Sequence, residues 1–137
     1  MPEKILVVDD EPDMLRLLSM ILRDKTAYDV TTTNNPVEAL ELARKGGFDI
    51  LITDLKMPGL DGIELLNAVR GFDPDIPIII ITAYATAESA AEAMDKNAFD
   101  FITKPFRKEQ IIFTIDRAVK WLRSQREIKA LKEKMST

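Results

Sequence analysis

Six polar residues set the chemistry open to this chain: Asp9, Asp10 and Glu11 in one run, then Asp54, Thr82 and Lys104. Histidine and cysteine are both absent. That excludes a Ser-His-Asp triad, an imidazole general base, a phosphohistidine carrier, disulfides and sulfur-ligated metals. Carboxylates, hydroxyls, lysines and a hard cation remain. Carboxylates brought within a few ångströms repel, so one must protonate or a cation must join them. An all-oxygen set without His or Cys selects a hard ion, Mg²⁺ with several waters retained. With the added charge of Lys104, the natural guest is a phosphoryl group. A carboxylate can attack phosphorus directly to form an acyl phosphate, a reaction that needs positioning and charge neutralisation above all. Asp54, central in this set, is the best-placed nucleophile.

To share one site, these residues must be carried there by regular elements. Lys4 to Val8 (KILVV), Asp49 to Thr53 (DILIT) and Pro77 to Ile81 (PIIII) are near-continuous apolar runs, as expected of parallel strands covered on both faces. Tyr28 to Thr33 is more polar and suits a sheet edge, and Ala98 to Ile102 completes five. Helical patterns lie between them. Pro12 opens the first, with Leu15, Leu18 and Leu22 on one face. Asn35-Pro36 opens the second, with Val37, Leu40 and Ala43 in phase, and Gly46-Gly47 ends it. Pro58-Gly59 turns the chain, and Asp61 with Glu64 forms a capping box for a third. Thr86 caps an alanine-rich fourth reaching about Lys96, and a last helix runs from near Phe106 to Met135. Five βα units imply a flavodoxin-like α/β fold, a doubly wound parallel sheet of strand order 2-1-3-4-5 with an extended C-terminal helix. In such sheets ligands bind beyond the carboxyl ends of the strands. The six polar residues all fall there.

Composition bounds the rest. A length of 137 residues, 46% hydrophobic and 31% charged, fits one soluble globular domain. No apolar run approaches a membrane span, and Met-Pro-Glu-Lys leads straight into a strand without a secretory h-region, so a cytoplasmic location is expected. From Lys120 onward there are six basic and two acidic side chains; the remaining 13 basic and 21 acidic leave the body at −8. Such a body disfavours nucleic acid, and no partner membrane is expected.

Taken together, Asp9-Asp10, Asp54, Thr82-Ala83 and Lys104-Pro105, with the loop Asp54 to Gly62 (DLKMPGLDG), resemble response-regulator receiver domains of two-component signalling over about residues 3 to 122. The resemblance implies a phosphorylation-activated switch that takes its phosphoryl group from the phosphohistidine of a sensor histidine kinase onto Asp54. Asp10 would ligate Mg²⁺ directly, Asp9 through water, Asp54 by an oxygen and Lys56 by its carbonyl. Thr82 and Lys104 would hold phosphoryl oxygens. Lys104-Pro105 would be cis, and small Ala83 would leave room for the donor. Thr82 and Phe101 would form the switch, relayed to the face made by helix 4, strand 5 and helix 5; a phenylalanine there works by packing alone. The domain would be no enzyme beyond its own phosphorylation and dephosphorylation. Asn97 stands where the family often has glycine, and asparagine tolerates the left-handed conformation. Tyr84, two residues past Thr82, is expected to shield the acyl phosphate from water.

Each of these residues has a plainer role when taken singly. Asp-Asp after a strand caps a helix, Thr82 caps or turns, Lys104 is a solvated strand end, and Phe101 is core. Their joint placement at successive strand ends favours the site. Residues 1–122 form the receiver and 123–137 a helical linker. In the last helix Ile111, Ile115, Ala118 and Leu122 face the core, while Trp121, Ser124, Ile128, Leu131 and Met135 recur at heptad-like spacing. A homodimer through that helix, or through the helix 4/strand 5/helix 5 face, is expected. The Thr82-Ala-Tyr84 and Thr103-Lys-Pro-Phe106 segments with this tail resemble receivers of nitrogen-regulation-type, sigma-54-dependent transcription activators, whose output domain would follow. The chain itself holds no Walker A motif and no recognisable helix-turn-helix. Two other functions compete. A pseudo-receiver serving only as a constitutive interaction or dimerisation module is opposed by the intact acidic set and Lys104. A flavin-binding or phosphatase enzyme lacks the Gly/Ser/Thr-rich cradle after strand one and the Asp-x-Asp pattern at Asp54.

Overall fold

The computed structural model describes residues 2–136. Met1 and Thr137, the outer ends of the expected receiver and linker, lie outside the described residues. Five strands, β1 (Lys4–Val8), β2 (Asp29–Thr33), β3 (Ile50–Thr53), β4 (Ile78–Thr82) and β5 (Asp100–Thr103), alternate with five helices. These are α1 (Pro12–Lys25), α2 (Pro36–Lys45), α3 (Gly62–Arg70), α4 (Ala87–Asp95) and α5 (Lys108–Met135). The strands form one parallel sheet in the order β2-β1-β3-β4-β5.

Side-chain alternation explains the unbroken apolar runs. Ile5, Val7, Ile50, Ile52, Ile79, Ile81 and Ile102 point to one face and pack with α1 and α5 residues such as Leu18, Leu22, Ile111 and Ile115. Leu6, Val8, Leu51, Ile78 and Ile80 point to the other and pack with Ala39, Leu65, Leu66, Val69 and Ala93 of α2, α3 and α4. A strand buried on both sides has no polar face to show.

Local signals set most element boundaries. Pro12 and Pro36 open α1 and α2, and the Asn35 side chain accepts from the Val37 and Glu38 amides. Asp61 with Glu64, and Thr86 with Ser89, form reciprocal capping boxes. Three details differ from the sequence expectation. Val37 is 56% exposed, because Pro36, Ala39, Leu40 and Ala43 carry the inner face of α2. β5 starts at Asp100, since the Ala98 amide still closes onto the Ala93 carbonyl and Asn97 adopts φ +67°. With the strand starting there, Phe99 joins the α1/α5 core and Phe101 the opposite one. The last helix starts at Lys108, after the cis Lys104-Pro105 bond and the Arg107 N-cap.

α5 is 28 residues long, and its buried positions stop at Leu122. Beyond that point it meets the body through ion pairs, Arg123 with Glu3 and Arg126 with Asp49. Ile128, Leu131 and Met135 are exposed.

Candidate phosphorylation site

The sheet's register brings the acidic residues together. Val8 aligns with both Thr33 and Thr53, so β1, β2 and β3 end level. The next residues continue the ladder: the Asp54 amide donates to the Val8 carbonyl (3.1 Å) and the Asp9 amide to that of Thr33 (3.3 Å). On the other side, Thr82 pairs with Thr103, and the Lys104 amide donates to the Thr82 carbonyl (2.8 Å). Backbone pairing thus places Asp9, Asp54, Thr82 and Lys104 along one rim.

Asp9, Asp10, Glu11 and Asp54 each offer a carboxylate oxygen, all within 4.8 Å of one another. Asp9 and Asp54 are buried, Asp10 and Glu11 exposed. The Lys104 ammonium reaches Asp9 Oδ2 at 2.9 Å, Asp54 Oδ2 at 3.2 Å and Glu11 Oε1 at 3.9 Å. Asp54 Oδ1 accepts from the Leu55 amide (2.6 Å) and the Lys56 amide (3.4 Å), which fixes the carboxylate plane. Asp9 Oδ1 accepts from the Glu11 amide (2.9 Å).

Burial pushes the Asp9 carboxyl above its ordinary pKa, and the Glu11 amide and Lys104 bring it only part of the way back. Desolvation acts to lower Lys104, but the hydrogen bond and charge of Asp9, with the charge of Asp54, win and raise it. One ammonium among four acids leaves an excess of negative charge. The donor set is all oxygen, open to solvent on the Asp10 side, and suits a hard divalent ion that keeps some of its water.

Thr82 is fully buried at the end of β4, and its hydroxyl oxygen accepts from the Tyr84 amide at 3.0 Å. Among the described residues no acceptor takes its hydroxyl proton. Lys56 and Tyr84 are exposed and line an open cleft with Asp10, Glu11, Met57 and Pro58. Phe101 is apart from the polar cluster, half-buried against the α2/α3/α4 core. The rim therefore joins Asp9 and Asp54 to Lys104 by direct contact, with an Asp10 carboxylate oxygen within 4.8 Å of theirs and Thr82 and Lys56 beside them in the backbone.

Residues 5–116 match the family described as response regulator receiver domain. The chain belongs to that family. The receiver domain is 37% identical over 115 residues to the transcriptional regulatory protein ZraR of Klebsiella oxytoca, covering 84% of this chain and 26% of that protein. The solved structure of NtrX from Brucella abortus superposes with TM-score 0.87 at 32% identity, over 96% of this chain and 30% of that one. Chemotaxis protein CheY4 of Vibrio cholerae superposes with TM-score 0.80 at 32% identity, over 86% of this chain and 99% of its own. The receiver domain thus spans under a third of the regulators ZraR and NtrX but nearly all of CheY4. Among the described residues no helix is long and apolar enough to cross a membrane.

One residue of the site carries more weight than its sequence neighbourhood suggested. A Cβ on Gly62 would lie 2.3 Å from the Asp54 carbonyl oxygen and 2.9 Å from Leu55 Cα. The first turn of α3 sits directly on the backbone of Asp54. The signal was present in the sequence: a glycine straight after the N-cap Asp61, at a helical position where glycine is disfavoured, marks a close approach.

Proposed function

We propose that this receiver domain is a phosphorylation-driven switch in which Asp54 accepts a phosphoryl group from the phosphohistidine of a sensor kinase. The supporting observation is the meeting of three strand ends, where buried Asp54 lies among Asp9, Asp10 and Lys104. A carboxylate oxygen of Asp54 forms the new P–O bond as the P–N bond of the donor breaks. The Leu55 and Lys56 amides keep the carboxylate aimed, and Lys104 moves its charge to phosphoryl oxygens once Asp54 is phosphorylated. The Thr82 hydroxyl donates its free proton to the same oxygens.

Asp9, Asp10, Asp54 and the Lys56 carbonyl would hold Mg²⁺, which neutralises charge on the transferring group. Tyr84, 58% exposed at the mouth of the cleft, shields the product from water. Turnover of its own acyl phosphate is the only reaction assigned to it, and the expected location is the cytoplasm. The signal passes through Thr82 and Phe101 to the α4, β5 and α5 face. By likeness to the transcriptional regulatory protein ZraR, the output is transcription control by further domains, of the sigma-54-dependent kind that the Thr82-Ala-Tyr84 and Thr103-Lys-Pro-Phe106 segments resemble. The exposed seam Trp121, Ile128, Leu131 and Met135 supports pairing of two copies along α5.

Incubation with phosphoramidate and Mg²⁺ tests the reading by intact mass. The wild-type chain gains one phosphoryl group; Asp54→Asn, or wild type in excess chelator, gains none. Equal labelling of Asp54→Asn would put the phosphoryl group on another residue, and no labelling of either chain would leave only the constitutive interaction module.

A further inference from the structure

α4 is held at one end only. Of its nine residues only Ala93 is buried, and the next buried position is Ala98, just past the helix. The segment from Tyr84 to Ser89, next to Thr82, contains no buried residue; Ala85 and Ser89 are half-buried and the others exposed. The C-terminal end, by contrast, is closed by a tight turn in which the Ala98 amide donates to Ala93 and the Asn97 amide to Met94, with Asn97 left-handed.

That turn is tied to the rest of the molecule by Arg70, the last residue of α3. Its Nη1 donates to the carbonyl oxygens of Ile76 (2.7 Å) and Asp73 (3.3 Å), and its Nη2 to that of Asn97 (2.7 Å). One guanidinium thus joins α3, the loop leading into β4, and the α4–β5 turn. The arrangement is not a packing convenience. Arg70 Nε is the only buried side-chain nitrogen or oxygen without a partner among the described residues, and desolvation lowers the guanidinium pKa. An apolar side chain would fill the space without either penalty but could not bridge three carbonyls.

We infer that Arg70 is a positioning residue that makes the α4–β5 turn the fixed pivot of α4. The free end adjoins the site through one bond, from the Tyr84 amide to the Thr82 hydroxyl oxygen. When that hydroxyl is drawn toward a phosphoryl group, the strain falls on the Ala83 to Glu88 segment. With residues 93–98 stapled to Arg70, α4 swings about that end instead of detaching. The inference rests on the phosphorylation reading for its driving force, but the staple itself does not.

Amide hydrogen exchange on the whole chain, with and without Mg²⁺ and beryllofluoride, tests it. In wild type the amides of Glu88 to Glu92 change protection on adding beryllofluoride, while those of Lys96, Asn97 and Ala98 keep theirs. In Arg70→Met without any phosphoryl mimic, those last three amides exchange about tenfold faster or more, the effect of losing a charge-assisted bond. Amides of Leu6 and Ile52 in the sheet stay protected. Arg70→Lys, which keeps a charge but lacks the fork, follows Arg70→Met. Equal beryllofluoride response at both ends of α4 overturns the pivot, as does an Arg70→Met turn as protected as wild type. If beryllofluoride leaves the Asp54 and Thr82 amides unchanged, the phosphorylation reading has failed, and the mimic-free Arg70→Met comparison still decides whether the staple holds the turn.

Discussion

Replacing Gly62 by alanine adds one methyl group at the most confined point of the site. The added Cβ falls 2.3 Å from the Asp54 carbonyl oxygen, where real Cβ contacts essentially never come closer than 3.0 Å. The nearest atoms are backbone, so no side chain can swing away. Either α3 lifts or the Asp54-Leu55 peptide shifts by roughly 1 Å, a strain of about 1–3 kcal/mol. Alanine returns about 0.5–1 kcal/mol through its better helix propensity, leaving a net loss near 1–2 kcal/mol. The displaced peptide carries the amide that fixes Asp54 Oδ1, so the Asp54 carboxylate moves as well. A misplacement of about 1 Å costs on the order of 10²-fold in rate. Urea unfolding and the initial rate of labelling by phosphoramidate measure the two effects. Unchanged stability and rate in Gly62→Ala would refute the close contact and the assigned role of this backbone.

Arg123 holds the Glu3 carboxyl below its ordinary pKa of 4.5, so their pairing stabilises fully above that value and is lost as pH falls through the lower folded one. Arg123→Met is therefore less stable than wild type at neutral pH and converges with it in acid, as read by urea midpoints across pH; a constant gap would contradict this. Ile128→Asp with Leu131→Asp leaves the melting temperature of the monomer unchanged, since both side chains are exposed, and abolishes self-association in light scattering. Tyr84→Ala shortens the acyl-phosphate lifetime severalfold in a decay series by intact mass, and an unchanged lifetime would remove the shielding role.

The fold was legible because its signals are local and repeated. Apolar runs of three or four residues at Ile5, Ile50 and Ile78, prolines at 12 and 36, and caps at Asn35, Asp61 and Thr86 each state a boundary. The rim residues were legible because a parallel sheet sends successive strand ends to one edge. What depends on contacts distant in sequence was not. Nothing near Arg70 marks Asn97 as its partner 27 positions away, and nothing near Glu3 marks Arg123. The inner face of α2 is ambiguous at Val37, which is exposed, because several phases place three apolar residues of a short helix alike. Ala98 and Phe99 look like strand in the sequence, but the Ala98 amide still closes onto α4 and only the Phe99 amide reaches the sheet, at Ile78.

Reduction of the labelled chain with borohydride bears most directly on Asp54. An acyl phosphate on an aspartate is reduced to homoserine, which peptide mapping locates. After phosphoramidate treatment with Mg²⁺, homoserine is expected at position 54 and nowhere else, and chelator abolishes it. Homoserine at another acidic position, or undiminished labelling without a divalent ion, would contradict the site described here.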